Sequence, residues 1–340
     1  MNSYERIINA FNGETVDRIA VAPIVREWCA KQVGFDFSDL TKSSVQNVFA
    51  QYYCANKYLF DALWDLWGIQ AEAAVMGSAI NIPKNMEGVP SVVTPAIKNY
   101  KKDLKKIKIP NPAKDGYLPI IMDGITQLKK LANEKMPVLG YVQGPFRMAS
   151  MLRGPEKTMQ DCADGRKELE ELLEICTDTL IVSGAASVHA GADVLWIGEP
   201  TSSGDRISLE FLKRYVLPYL RILIKSLKNH RVKVMMHVCG DTSDRLELFR
   251  DAGIDALSIS EKVDLSHARQ VLGDSFCLWG NVAPSTLLSG TPQDVEKEAQ
   301  DCLRKGVGKN GNFVLCSGCR TPPDAPPENI VAMVKAAHNF

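Results

Sequence analysis

Short apolar, β-branched runs separated by longer amphipathic stretches recur along almost the whole chain, and this alternation narrows the possible folds more than any other feature. The runs are Ile19–Val25, Ala71–Met76, Val138–Val142, Val194–Ile197, Val232–His237, Ile254–Ile259, Phe276–Trp279 and Phe313–Leu315. Between most of them apolar residues fall at i, i+3, i+4 and i+7, as in Leu169–Val188, Leu209–Lys228, Asp244–Ala252 and Pro292–Lys305. Strands that are apolar without alternation are buried on both faces, which predicts a parallel sheet covered by helices. Eight of them predict closure into a (β/α)8 TIM barrel, in the α/β class, over an open doubly wound sheet. A length of 340 residues suits one such barrel, so a single domain is expected over residues 1–340. Extra helices are expected at the N-terminus. An excursion over the rim is expected around residues 77–135, where Pro83, Pro90, Pro95, Pro110 and Pro112 interrupt any period.

Composition removes several function classes. Lys plus Arg number 40 and Asp plus Glu number 40, so the formal net charge is zero and no basic footprint for nucleic acid or anionic membrane exists. Apolar stretches such as Leu180–Ser187 are far shorter than the roughly 20 residues of a membrane span. The opening Met1-Asn-Ser-Tyr-Glu-Arg6 carries early charges where a signal peptide has an apolar core, and a cytoplasmic protein is expected. No G-x-G-x-x-G follows the first strand and no P-loop motif occurs, which removes the usual support for a dinucleotide or nucleotide site. The run Lys101-Lys-Asp-Leu-Lys-Lys106 reads as a solvated face. Nine cysteines, odd in number and without framework spacing, point to metal, redox or packing roles.

In a barrel the chemistry sits at the C-terminal ends of the strands. Those ends are polar here: Arg26-Glu27, Gln143-Gly-Pro145, Glu199-Pro200, His237-Val-Cys239, Glu261-Lys262, Asn281 and Cys316-Ser-Gly-Cys319. In extended chain, residues i and i+2 point the same way, so His237 and Cys239 are placed to grip one metal ion, and ring closure can bring Cys319 to it from strand eight. Mixed nitrogen and sulfur donors suit zinc. Glu261 reads either as a displaceable fourth ligand or as a salt-bridge partner of Lys262. Cys316 forms a C-x-x-C pair with Cys319, which leaves a closed Cys3His site and a redox pair as alternatives. Glu199 is expected to orient substrate or a proton, with Gln143 and Asn281 hydrogen-bonding its polar groups; solvation of the rim is the plainer reading of all three. The other cysteines, and tryptophans such as Trp28, Trp64 and Trp67, read as packing.

These residues resemble the uroporphyrinogen decarboxylase superfamily, and within it the branch of zinc-dependent corrinoid methyltransferases that act with coenzyme M. The resemblance runs from Arg6-Ile-Ile-Asn-Ala-Phe-Asn-Gly-Glu-Thr-Val-Asp-Arg18 through Gln143-Gly-Pro145, Ala190-Gly-Ala-Asp193, His237-Val-Cys-Gly240 and Gly280-Asn-Val282 to Pro327-Glu-Asn-Ile330. It implies a (β/α)8 barrel with zinc on His237, Cys239 and Cys319, and Glu261 in the fourth position. Cys316 has no counterpart in the pattern. The decarboxylases carry an Arg-Gln-Ala-Gly-Arg stretch after strand one; here the segment is Arg26-Glu-Trp-Cys-Ala-Lys31. The chain also lacks D-x-H-x-x-G, the corrinoid-binding signature. A corrinoid supplied by a separate corrinoid protein is therefore expected. The implied reaction moves a methyl group between that corrinoid and a small substrate, either to a thiol such as coenzyme M or from a methyl ether or amine. Porphyrinogen decarboxylation is the second reading, and a non-catalytic, zinc-stapled binding barrel the third.

Overall fold

A computed structural model of the chain describes residues 1–66, 68–84 and 88–340, apart from the Phe37 side chain. Eight parallel strands form one sheet: β1 (Ala20–Val21), β2 (Leu63–Trp64), β3 (Val138–Gln143), β4 (Val194–Gly198), β5 (Lys233–Val238), β6 (Ala256–Ile259), β7 (Cys277–Val282) and β8 (Phe313–Ser317). Their order is β1-β8-β7-β6-β5-β4-β3-β2. The two end strands are joined by Asp61, whose N–H donates to Val21 O at 2.8 Å and whose carboxylate accepts from Val21 N at 2.8 Å. The result is the expected (β/α)8 barrel. Arg6 and Arg18 each hold the same buried carboxylate at 2.8 Å. Arg6 lies on the added N-terminal helix Ser3–Asn12, which starts at a capping box of Asn2 with Glu5.

One strand was expected in the wrong place. Ala71–Met76 does not join the sheet; Ala71–Val75 is helical, and β2 is Leu63–Trp64, paired with β3 at Leu63↔Val138 and Trp64↔Leu139. Ala-Glu-Ala-Ala-Val is rich in the strongest helix former, and propensity outweighed its apolar look. The rim excursion is also shorter than expected. It holds an antiparallel hairpin of Ala79–Asn81 with Ser91–Thr94, but Leu118–Ala132 is one of the helices covering the barrel. Lys101, Lys102, Lys105 and Lys106 are exposed around a buried Leu104.

Aromatic rings fill the barrel. Trp64 of β2 meets Trp196 of β4 at 4.9 Å and Trp279 of β7 at 6.4 Å between centroids, contacts that only an interior shared by non-adjacent strands allows. Trp28 packs on Tyr58 outside this stack, and Trp67 lies outside the described residues. Above the rings, register places Gln143, Gly198, His237 and Ser258 side by side on β3 to β6. Among the described residues no helix is long and apolar enough to cross a membrane.

Candidate metal centre

His237 stands near the end of β5, Cys239 just beyond it, and Cys319 two residues past β8. Their donor atoms lie within 4.8 Å of one another. His237 Nε2 is 3.2 Å from Cys239 Sγ, which is 3.1 Å from Cys319 Sγ. On the far side of the ring, Nδ1 is 3.0 Å from Ser258 Oγ on β6. With the proton on Nδ1 donated to Ser258, the Nε2 lone pair faces the sulfurs. The Cys319 loop is tied down by Gly318 N to Val282 O at 2.7 Å and Thr321 N to Ile24 O at 2.8 Å. Gly318 allows a close pass: a Cβ there would stand 2.6 Å from Glu261 N. The bond from Cys239, with His237 beside it, draws Cys319 well below the ordinary thiol range, and the same bond raises Cys239.

Glu261 borders this cluster without being one of its three members. Its Oε2 accepts from Ser260 Oγ at 3.0 Å, and Lys262 turns away to Asp205 at 3.1 Å. Cys316 is buried in β8, opposite Asn281 in register, with its thiol pushed up to about 12 by burial. It stands apart from the cluster, and the six remaining cysteines are all buried.

The cluster opens on a cavity of about 300 Å3 at the barrel mouth, walled by Tyr141 and Trp196. Its charged lining is Arg26, Glu27, Arg147 and Arg320. Glu27 is fully buried and bonded to Arg26, with Arg320 at 3.0 Å; burial raises its carboxyl, and the two guanidiniums overcome that and hold it low. Arg147 Nε has no protein partner among the described residues. Neither Arg147 nor Arg320 stood out in the sequence. Their signals were position only, two residues past Gln143-Gly-Pro145 and directly after Cys319.

Glu199, Gln143 and Asn281 are not among the residues lining this cavity. Glu199 is buried beneath the helix Pro145–Arg153, where its Oε2 accepts from Phe146 N and Arg147 N at 3.1 Å each and its other oxygen from Thr201. Burial pushes it up to about 7 against those bonds. Asn281 donates to Ser260 O at 3.0 Å and Val263 O at 2.8 Å. Gln143 faces a second, smaller cavity with Asp65 and Glu72.

A family model described as uroporphyrinogen decarboxylase (URO-D) matches residues 2–340. The chain belongs to the URO-D family. This URO-D family member is 31% identical to the methylcobamide:CoM methyltransferase MtbA of Methanosarcina mazei, over 83% of this chain and 80% of that one. It is 27% identical to a uroporphyrinogen decarboxylase of Geobacter metallireducens over 98% of each chain. A solved methyltransferase from Methanosarcina mazei superposes on it with a TM-score of 0.91 at 26% identity, covering 100% of this chain and 99% of that one.

Proposed function

We propose that this chain is a zinc-dependent methyltransferase that moves a methyl group from a corrinoid, carried by a separate protein, to a small anionic thiol of the coenzyme M kind. The observation that carries the reading is the trio of His237 Nε2, Cys239 Sγ and Cys319 Sγ on the wall of a cavity that also presents arginines. One imidazole nitrogen and two sulfurs are the mixed donors zinc takes, and three protein ligands leave a position for substrate. Glu261 is the displaceable fourth ligand. When bound, zinc supplies a Lewis acid that holds a thiol as thiolate at neutral pH.

The protein's own groups orient the rest. Ser258 fixes the His237 ring, and Arg147 pairs with the acidic end of the thiol. Glu199, Gln143 and Asn281 act as positioning residues. Glu199 holds the helical turn that carries Arg147, Gln143 braces Glu72, and Asn281 ties down the loop that carries Glu261. The thiolate sulfur attacks the methyl carbon, and the carbon–cobalt bond breaks with its electron pair staying on cobalt. The name of the Methanosarcina relative supports a thiol acceptor. Against porphyrinogen decarboxylation, Arg26 is committed to Glu27 and Lys31 to Asp324, so the segment after β1 offers little to substrate carboxylates.

The test mixes the enzyme with methylcobalamin and either 2-mercaptoethanesulfonate or uncharged 2-mercaptoethanol while the corrin spectrum is followed. Demethylation is expected with both thiols and faster with the sulfonate. Arg147→Ala raises KM for the sulfonate about tenfold or more, the value of one charge-assisted pair, and leaves the uncharged thiol unaffected. A flat spectrum with every thiol, together with CO2 release from uroporphyrinogen, overturns the reading. Methylcobalamin growth from cob(I)alamin and methyl ethers or amines reverses its direction.

A further inference from the structure

Beside the mouth, where β2 and β3 adjoin, lies a second cavity of about 20 Å3, room for one atom-sized occupant. Its polar walls include Asp65, Gln70, Glu72, Tyr141, Gln143 and Ser183, while the lining Ser187 donates its hydroxyl to Ser183 O at 3.1 Å. Asp65, Gln70, Glu72 and Gln143 are all more than nine-tenths buried. One Asp65 oxygen accepts from Tyr141 N at 2.9 Å; the other has no donor among the described residues. Gln70 spends its amide hydrogens on Gly68 O at 3.3 Å and Pro90 O at 3.2 Å, which fixes its amide and leaves Oε1 without a donor. Gln143 and Ser183 both hydrogen-bond the Glu72 carboxylate, and Gln143 Oε1 is likewise unmatched. Three residues lining a cavity of one-atom size thus each carry an orphaned atom, and all three atoms are acceptors. A water molecule carries only two protons.

Charge points the same way. Arg26 is the guanidinium acting on Asp65, but it is ion-paired to Glu27, which also takes Arg320. Asp65 and Glu72 thus bring two buried carboxyl groups to one cavity, and burial raises both, which makes their charged forms costly unless matched. Magnesium demands an octahedron and keeps several waters, for which there is no room, and calcium takes six to eight oxygens, more than these side chains supply.

We propose that this cavity is a binding site for one sodium-sized monovalent cation, held by the oxygens of Asp65, Glu72, Gln70 and Gln143. Such an ion meets every orphaned acceptor at once and offsets the carboxylate charge. The site goes beyond the methyl-transfer reading and does not depend on it. It also touches the mouth, because Gly68, Gln70 and Tyr141 line both cavities. The competitor is a proton on Asp65, whose carboxyl burial pushes up to about 7 with Glu72 adding to the rise and Arg26 opposing it.

The two separate at pH 8.5, where the proton has left. Thermal melting of the full chain is compared in sodium chloride and in tetramethylammonium chloride of equal ionic strength, the latter cation being too large to enter. Sodium should raise the melting temperature by about 3 °C or more, in a saturable way. Asp65→Asn keeps an acceptor for Tyr141 N and removes the charge, so its melting should be the same in both salts. The 23Na resonance of wild-type solutions supplies a measurement that needs no variant, and line broadening displaced by excess lithium is expected. Identical wild-type melting in the two salts, with no excess 23Na broadening, overturns the proposal and leaves water as the occupant, with a proton on Asp65 at lower pH.

Discussion

Glu199 shows how one carboxylate is held by burial and three donors at the base of the mouth. Its carboxyl, ordinarily at 4.5, stands at about 7 in the fold because burial outweighs the bonds from Thr201 and from Arg147 and Phe146 N–H. The native state therefore binds a proton over that window that the unfolded chain does not. The stabilisation is complete below pH 4.5 and is lost as pH rises through 7. Between pH 5 and pH 8 it amounts to about 2 to 3 kcal/mol, at 1.36 kcal/mol per pH unit. Glu199→Gln keeps an acceptor for the two N–H groups, so urea unfolding at the two pH values should show a flatter profile by that amount. Equal slopes for variant and wild type would mean that Glu199 is ionised in the fold throughout. Asp65 contributes in the same sense and keeps its own slope in the variant. Gly144→Ala probes the same cradle by shape: its Cβ would stand 2.1 Å from Glu199 Oε2, so the carboxylate must leave its donors. A loss of about 1 to 3 kcal/mol in unfolding free energy is expected from such overpacking.

Between elements, the seam of the barrel lies between β1 and β2, the two strands that no ladder joins, and their two-residue lengths are linked through Asp61. Asp61→Asn takes one of two carboxylate partners from the buried Arg6 guanidinium, which keeps Asp17 at 2.7 Å, and should cost about 1 to 3 kcal/mol. Amide exchange should rise first in Val21 and Leu63, while β5 and β6 keep their protection. Uniform exchange across all strands would show that the seam is not the site of opening. The same seam explains what the sequence hid. Seven strands are legible because buried parallel strands are continuous apolar runs. β2 is not, because Asp61 and Asp65 bracket Leu63–Trp64 and make the stretch look polar, while alanine-rich Ala71–Val75 looked apolar enough to replace it. Those aspartates close the barrel and line the inner cavity, so the residues that conceal the strand are the ones with work at its ends. In the site, His237 and Cys239 were legible because i, i+2 is a local relation. Arg147 and Arg320 were not, since only ring closure brings ordinary arginines to one cavity. Glu199 and Asn281 were legible as strand-end residues, but such a position does not say whether a side chain faces the mouth or the backbone beneath it.

At the scale of the whole molecule the question is whether the metal proposed at the mouth would act on substrate or hold the barrel together. The interior is filled by Trp64, Trp196 and Trp279, each 2% exposed or less, of which only Trp196 reaches the mouth cavity, and by a continuous layer of buried apolar residues between strands and helices. A domain of this size buries enough surface to fold without a staple. Ligand binding still stabilises by mass action, about 4 kcal/mol when zinc stands at a thousand times its Kd. Stripping zinc with a chelator is therefore expected to lower the melting temperature by no more than about 10 °C, with one cooperative transition and unchanged far-ultraviolet circular dichroism. The same treatment should abolish methylcobalamin demethylation, and added zinc should restore it. Cys319→Ala is expected to behave like the stripped protein and to hold less than one zinc per chain. Cys316→Ala should keep a full complement, because that thiol is buried in β8 away from the three converging donors. If chelation instead collapses the circular dichroism signal, the metal is a structural staple. If Cys316→Ala loses zinc while Cys319→Ala keeps it, the donor set is wrong by one turn of the loop. The two measurements separate the outcomes, since folding is read from the spectrum and ligation from the metal content.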